Sequence, residues 1–247
     1  MRGLLRLTWL EAKIFVREPL GFVSSVLIPV VIFLILGRSM GSSANRTAGT
    51  QQFLARDLPL FISIFISINA ALSLIAVISV YREGGILKRL RATPLKPAVI
   101  LGAHVLVKLA FTGLSLALMW LAGRRYYPVP LEAHVGSFVL AVIVTTVAIL
   151  TMGFVVASMV DTARFAQLIG SLVFYPMLAI SGMLYPLAAM PRAWAQVGAV
   201  LPLTHAVALL RGAWAGDSWL AMAPHLGVLA LTIALCLALT SRVFRWE

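Results

Sequence analysis

Six stretches of the chain, at 20–36, 58–80, 98–122, 136–159, 165–184 and 219–240, are almost free of charged residues. A helix crosses the hydrocarbon core of a bilayer with about 20 mostly apolar residues. Backbone N–H and C=O groups in lipid must satisfy one another, and a helix does this within a single segment. The runs therefore predict an all-α integral membrane protein with six transmembrane helices. Composition agrees: 61% of the 247 residues are apolar and 11% charged, against roughly half and a quarter in soluble domains. The first run is short and holds Pro29, and the fifth holds Pro176. Prolines inside spans kink a helix and free a carbonyl for a neighbouring helix to satisfy.

The net charge is +12. In a soluble chain that would point to nucleic acid. Here the basic residues lie between the apolar runs, where they contact anionic headgroups and set topology. Membrane lipid is the expected partner, and nucleic acid is not one. With the N-terminus inside, the inner segments hold Arg2, Arg6, Lys13, Arg17, Arg82, Lys88, Arg89, Arg91, Lys96, Arg164, Arg242 and Arg245. The outer segments hold fewer: Arg38, Arg46, Arg56, Arg124, Arg125, Arg192 and Arg211. The bias predicts a multi-pass protein with both termini in the cytoplasm. No removable signal peptide is expected, because charges are mixed through the first 19 residues. The single cysteine, Cys236, has no partner for a disulfide or a metal motif and reads as a buried small apolar residue.

Residues 1–19 have helical order. At about 100° per residue, Arg2, Arg6, Lys13 and Arg17 share one sector, opposite Leu4, Leu7, Ile14 and Phe15. This predicts an amphipathic helix along the inner interface. Glu11 and Glu18 fall in its apolar sector, which implies that part of that face touches protein; a plain membrane anchor is the other reading.

Residues 82–93 form a charged segment between the second and third runs. As a short helix it would place Glu83, Ile86, Leu87 and Leu90 on one face, and Thr93-Pro94 would end it. A positively charged topology loop remains the alternative. Residues 185–217 are apolar but interrupted by Pro186, Pro191 and Pro202 and loosened by Gly198, Gly212 and Gly216, with Gly182 just before them. They predict an outer re-entrant helix pair before the last span, with an ordinary external loop as the alternative.

Signatures of catalysis are missing from the sequence. No lysine follows a glycine, so there is no GxxxxGK[ST] phosphate loop, and neither HExxH nor GxSxG occurs. His104, His134, His205 and His225 are scattered, with no two at metal-ligand spacing. Acidic residues, common proton or cation relays, are missing from the runs. Lys108 lies well inside the third run; it snorkels to the inner interface or attracts an anionic substrate.

Residues Arg82, Glu83, Gly85, Leu87, Arg89, Leu90, Ala92, Thr93, Pro94 and Leu95 resemble the cytoplasmic loop of type-2 ABC exporter permeases of the daunorubicin-resistance and nodulation-factor export kind. Ile86 stands where those permeases often have threonine. His104 stands where a lysine is common. Gly182, Pro186, Pro191, Trp194, Leu201-Pro202-Leu203-Thr204 and Ala206 through Arg211 resemble their outer segment. The likeness covers nearly the whole chain as one permease domain, 1–247.

It implies the membrane-spanning subunit of an ATP-driven exporter in the cell membrane, moving an amphipathic, lipid-linked or drug-like compound. It implies work as a dimer, with a second copy or a related permease. It also implies a separately encoded ATP-binding subunit that carries ATP and Mg, with no cofactor and no catalytic residue on this chain. Arg82, Glu83, Gly84, Gly85, Leu87, Arg89, Leu90, Thr93 and Pro94 would form the cytoplasmic coupling helix seated on that subunit. Glu11 and Glu18 would add a second contact, and Gly84-Gly85 a hinge. Gly182, Pro186, Pro191, Pro202 and Arg211 would close the outer mouth. The competing readings are an ATPase-independent secondary multidrug transporter and a membrane-embedded enzyme such as a lipid transferase; the second would need clustered His, Asp or Glu.

Overall fold

A computed structural model describes residues 2–40, 57–85, 97–126, 134–160 and 162–243, and they are helical with no strand among them. The helices are α1 (Arg2–Arg17), α2 (Ile28–Met40), α3 (Leu58–Glu83), α4 (Pro97–Tyr126), α5 (Val135–Met159), α6 (Ala163–Ile180), α7 (Arg192–Val200), α8 (Pro202–Ala215) and α9 (Trp219–Val243). Five segments are long and apolar enough to cross a membrane: Pro59–Glu83, Gly102–Ala122, Val135–Met159, Ala163–Ile180 and Trp219–Arg242. A sixth candidate is the pair α7–α8, bent by 78° between Val200 and Pro202. The chain is a multi-pass membrane protein.

The sixth candidate is not the run expected to be the first span. Residues 20–36 yield a shorter apolar helix, Val23–Leu36, entered through Pro19–Phe22 and a π turn at Val23–Leu27. Pro29 follows that π turn by two residues. Without an N–H, it has nothing to offer the carbonyl of Ser25 four residues earlier. Ser115 Oγ on α4 stands 3.3 Å from that carbonyl and 3.0 Å from the Phe111 carbonyl of its own helix, so a neighbouring helix shares its one hydroxyl hydrogen with the acceptor the proline leaves open.

α3 and α5 form the centre. Leu60, Ile64, Ile68, Leu74, Ile75 and Ile78 on α3 are fully enclosed, as expected for a helix that is apolar on all sides. Small residues bring its neighbours close. A Cβ on Gly153 of α5 would stand 3.3 Å from the Cβ of Ala71, and one on Gly170 of α6 would stand 2.7 Å from Ile75 Cδ1. Ser67 and Thr146 join α3 to α5 through their hydroxyls at 2.9 Å. On one flank α1 and α2 pack on α4, and on the other α6, α8 and α9 pack around α3 and α5.

α9 is the outermost span. Leu220, Leu231, Leu235, Leu237 and Leu239 are exposed on it, a surface suited to hydrocarbon. Cys236 on this helix is only half-buried, less enclosed than its apolar run suggests.

Candidate functional site

Most of the segment with the sharpest sequence signal, including Leu87, Arg89, Leu90, Thr93 and Pro94, lies outside the described residues. Its beginning does not. α3 ends at Glu83; Gly84 closes it with an N–H to Val80 O bond of 2.9 Å, and Gly85 turns the chain at φ +66°. A positive φ there suits glycine, which has no Cβ to clash.

Three consecutive side chains at this helix end reach three different elements. Tyr81 donates its hydroxyl to Glu11 of α1, at 3.1 Å from Oε1 and 3.2 Å from Oε2. Arg82 donates from Nη1 to the Val160 carbonyl at the end of α5, at 2.8 Å. Glu83 accepts the N–H of Ala163, the first residue of α6, at 2.6 Å from Oε1. The pairings follow helix electrostatics. A cation suits the carbonyl end of α5, and a carboxylate suits the amide end of α6. Thr162, the N-cap residue of α6, makes no side-chain cap of its own, so Glu83 supplies the acceptor from another helix.

Glu11 is 9% exposed and points into the protein. His104 Nδ1 of α4 lies 3.7 Å from its Oε2, and the Tyr81 and His104 rings meet edge to face at 5.7 Å. Burial pushes the Glu11 carboxyl above its ordinary value; the Tyr81 hydrogen bond and the Lys108 charge pull it partly back. His104 thus occupies a place where a basic group faces a carboxylate. One turn further on, Lys108 is 4% exposed, donates to Ser73 Oγ at 2.7 Å and lies 4.0 Å from the Phe15 ring centre. It does not snorkel; its charge stays inside, against a hydroxyl and an aromatic face. Phe15, Phe22 and Phe111 complete the seat of α1 on α4, with Phe15 and Phe111 ring centres 4.6 Å apart. Glu18 is exposed. The two glutamates of the apolar sector therefore separate, one buried in the bundle and one at its surface.

The residues assigned to the outer mouth gather at the opposite end of α3. A pocket of about 420 Å³ is lined by Gly182, Pro186, Leu187, Thr204, Arg211 and Asp217, among others. Arg211 donates to the Gly182 carbonyl at 3.0 Å and stands 3.8 Å from Asp57, at the start of α3. Gly182 takes φ +78° just past the end of α6. Pro191 immediately precedes α7, and Pro202 is the first residue of α8. The prolines act as helix starters, where a missing N–H costs nothing, and not merely as breakers.

The elbow between α7 and α8 is pinned by side chains. Thr204 Oγ1 donates to the Gly198 carbonyl at 2.6 Å, and His205 Nε2 lies 3.1 Å from the Ala199 carbonyl. Both carbonyls belong to the last turn of α7, where a helix leaves acceptors unfilled. His205 Nδ1 is also 2.9 Å from His225 Nδ1 on α9. Their spacing of 20 residues carries no motif, so nothing in the linear pattern marks this contact. Ring centres 5.2 Å apart fit two nitrogens aimed at each other along a hydrogen bond.

The sequence profile of the family described as ABC-2 type transporter matches residues 2–214. Nodulation protein J of Rhizobium leguminosarum bv. viciae is 29% identical over 102 residues, which are 41% of this chain and 39% of that protein. The match spans about two-fifths of the relative's length.

Proposed function

The chain belongs to the ABC-2 type transporter family, and from this premise we propose that it is the membrane-spanning subunit of an ATP-driven exporter in the cell membrane. The match to residues 2–214 is the observation that carries this reading. A separately encoded ATP-binding subunit holds ATP and Mg, and a second copy or related permease completes the pathway. The cargo is an amphipathic, lipid-linked or drug-like compound.

Coupling enters through 82–93, with Leu87, Arg89, Leu90, Thr93 and Pro94 seated on the ATP-binding subunit. Arg82 and Glu83 belong to α3, and Gly84 and Gly85 are the hinge between α3 and the rest of that segment. Two facts support this division: α3 stops at Glu83, and Gly85 takes a positive φ. Glu18, exposed just past the end of α1, adds a second contact. Glu11 serves to seat α1, because it is enclosed. Both termini lie in the cytoplasm, and the bent α7–α8 pair is re-entrant. Gly182, Pro186, Pro191, Pro202 and Arg211 form the outer gate. An open pocket between α8 and the segment that follows α6, lined by Gly182, Pro186 and Arg211, supports that role.

Co-expression with an ATP-binding subunit encoded beside it tests the reading. Wild type should retain that subunit through purification in lipid and sustain ATP turnover. Leu90→Asp should release it, by placing a charge on the docking ridge. If no ATP-binding subunit is retained by wild type, and transport persists without ATP, the secondary-transporter reading replaces this one.

A further inference from the structure

We infer that Tyr81, Arg82 and Glu83 are positioning residues that make the end of α3 a junction, through which a displacement of the following segment is delivered together to α1, α5 and α6. This rests on the coupling role proposed for 82–93.

The argument begins with helix geometry. Successive side chains on a helix are rotated by about 100°, so three in a row fan across more than half of its circumference. Usually such a fan meets one neighbour and solvent. Here each member ends on a different element: Glu11 of α1 at 3.1 Å, the Val160 carbonyl at the end of α5 at 2.8 Å, and the Ala163 N–H at the start of α6 at 2.6 Å. The bonds are local in space and distant in sequence. They join residues 70, 78 and 80 positions apart.

Two of the three bonds span the α5–α6 corner from opposite sides. Arg82 holds the carbonyl of Val160, the residue that follows α5, and Glu83 holds the first amide of α6. The corner therefore cannot slide along α3 without breaking one of them. The third bond fixes α1, whose Phe15 is packed on Phe111 of α4. The chain leaves this junction directly through Gly84 and Gly85. A push on the far side of that hinge is thus applied where α1, α5 and α6 are all attached. Packing alone would pass motion mainly to the most extensive contact, that of α3 with α5. α6 is packed on α3 as well; the three bonds add α1 and fix both sides of the α5–α6 corner, so the bundle shifts between discrete arrangements as connected bodies.

The test uses the full chain with its ATP-binding subunit in lipid nanodiscs, in a Cys236→Ala background. Ala188→Cys places a thiol on the wall of the pocket at the opposite end of α3. Its maleimide labelling rate is compared between nucleotide-free and ATP-vanadate-trapped complexes. A two-state element should give a roughly tenfold change in wild type. Arg82→Gln and Glu83→Gln should each bring that change below about twofold while ATP turnover continues, and Glu83→Asp should restore part of it. Loss of coupling with turnover retained is a signature that simple loss of folding does not give. If either Gln variant fails to assemble, Tyr81→Phe and Glu83→Asp carry the same comparison, and an undiminished change in both overturns the inference. A full change in the Gln variants also overturns it and leaves the exporter reading intact. A wild type that hydrolyses ATP without any change in labelling removes the junction too. A wild type that neither binds the subunit nor hydrolyses ATP removes the exporter reading, and this inference with it.

Discussion

Tyr81 hydroxyl lies within 3.2 Å of both carboxylate oxygens of Glu11, and so ties the amphipathic N-terminal helix to the end of a central span. The carboxylate is largely enclosed, and this bond offsets part of the cost of its charge. Tyr81→Phe keeps the ring and removes the donor. It should cost about 1–3 kcal/mol, read as a lower midpoint of unfolding in lipid. A midpoint unchanged from wild type would show that α1 is held by its phenylalanines alone.

The same carboxylate gives a pH dependence with a definite sign. Burial raises the folded Glu11 value above the ordinary 4.5. The folded state therefore holds the proton more tightly than the unfolded state. The resulting stability is full below the unfolded value and is lost as pH rises through the folded one. Glu11→Gln cannot titrate. The stability of wild type relative to Glu11→Gln should fall as pH increases from about 4 and level off once Glu11 is ionised. Unfolding midpoints of the two proteins from acid to neutral pH check this, and a difference growing in favour of wild type would contradict it.

Pro29, Ser25 and Ser115 form a compensation that a double-mutant cycle can isolate. Ser115→Ala removes the hydroxyl that reaches the Ser25 carbonyl at 3.3 Å. Interhelical bonds of this kind in membranes are worth about 0.6 kcal/mol, so a loss near that size is expected. In a Pro29→Ala background, residue 29 regains an N–H for Ser25, and the same substitution should cost measurably less. Equal costs in the two backgrounds would show that the serine does not answer for the proline.

The helical architecture was legible because lipid forces long apolar runs into helices, and the runs were visible. The burial of Glu11 was legible in part: its angular position placed a charge in an apolar sector, and a protein contact was the consistent explanation. Its partners were not, since Tyr81 and His104 lie on other helices and nothing in a linear pattern aligns helix faces. Arg82 and Glu83 stood out in the sequence as a charged pair. Their use as end-caps of the α5–α6 corner depends on a tertiary approach across nearly 80 residues. Hydropathy shows the first apolar run but does not register the π turn that precedes Pro29 within it. The contact of His205 with His225 is hidden from the sequence for the same reason as that of Tyr81 with Glu11: two helices must be placed before the side chains can meet.

The histidine pair predicts a coupling between α8 and α9. His205→Ala removes the Ala199 contact as well as the His225 contact, whereas His225→Ala removes only the shared bond. The His205 substitution should therefore be the more costly. The double variant should be less destabilised than the sum of the singles by about 0.5–1.5 kcal/mol, the net worth of one hydrogen bond. Unfolding midpoints of the four proteins give the term directly, and strict additivity would mean that the two rings do not interact.

Glycine at 198 and glycine at 227 provide the sharpest contrast in the elbow region. A Cβ on Gly198 would stand 2.7 Å from the Ile180 carbonyl oxygen and 2.7 Å from Leu187 Cδ2, whereas one on Gly227 would meet nothing within 4 Å. The first of these neighbours is backbone at the end of α6, which cannot rotate away as a side-chain terminus can. Gly198→Ala should therefore displace α7 and cost about 1–3 kcal/mol. It should also weaken the Thr204 bond to the Gly198 carbonyl, so that Thr204→Val costs less in that background than in wild type. Gly227→Ala lies on the exposed face of α9 and should be neutral or slightly stabilising, since alanine is the better helix former by about 1 kcal/mol. Unfolding midpoints of both variants in the same lipid decide the matter. Equal effects would mean that the α7–α8 elbow is not packed against the α6 end as closely as these distances require.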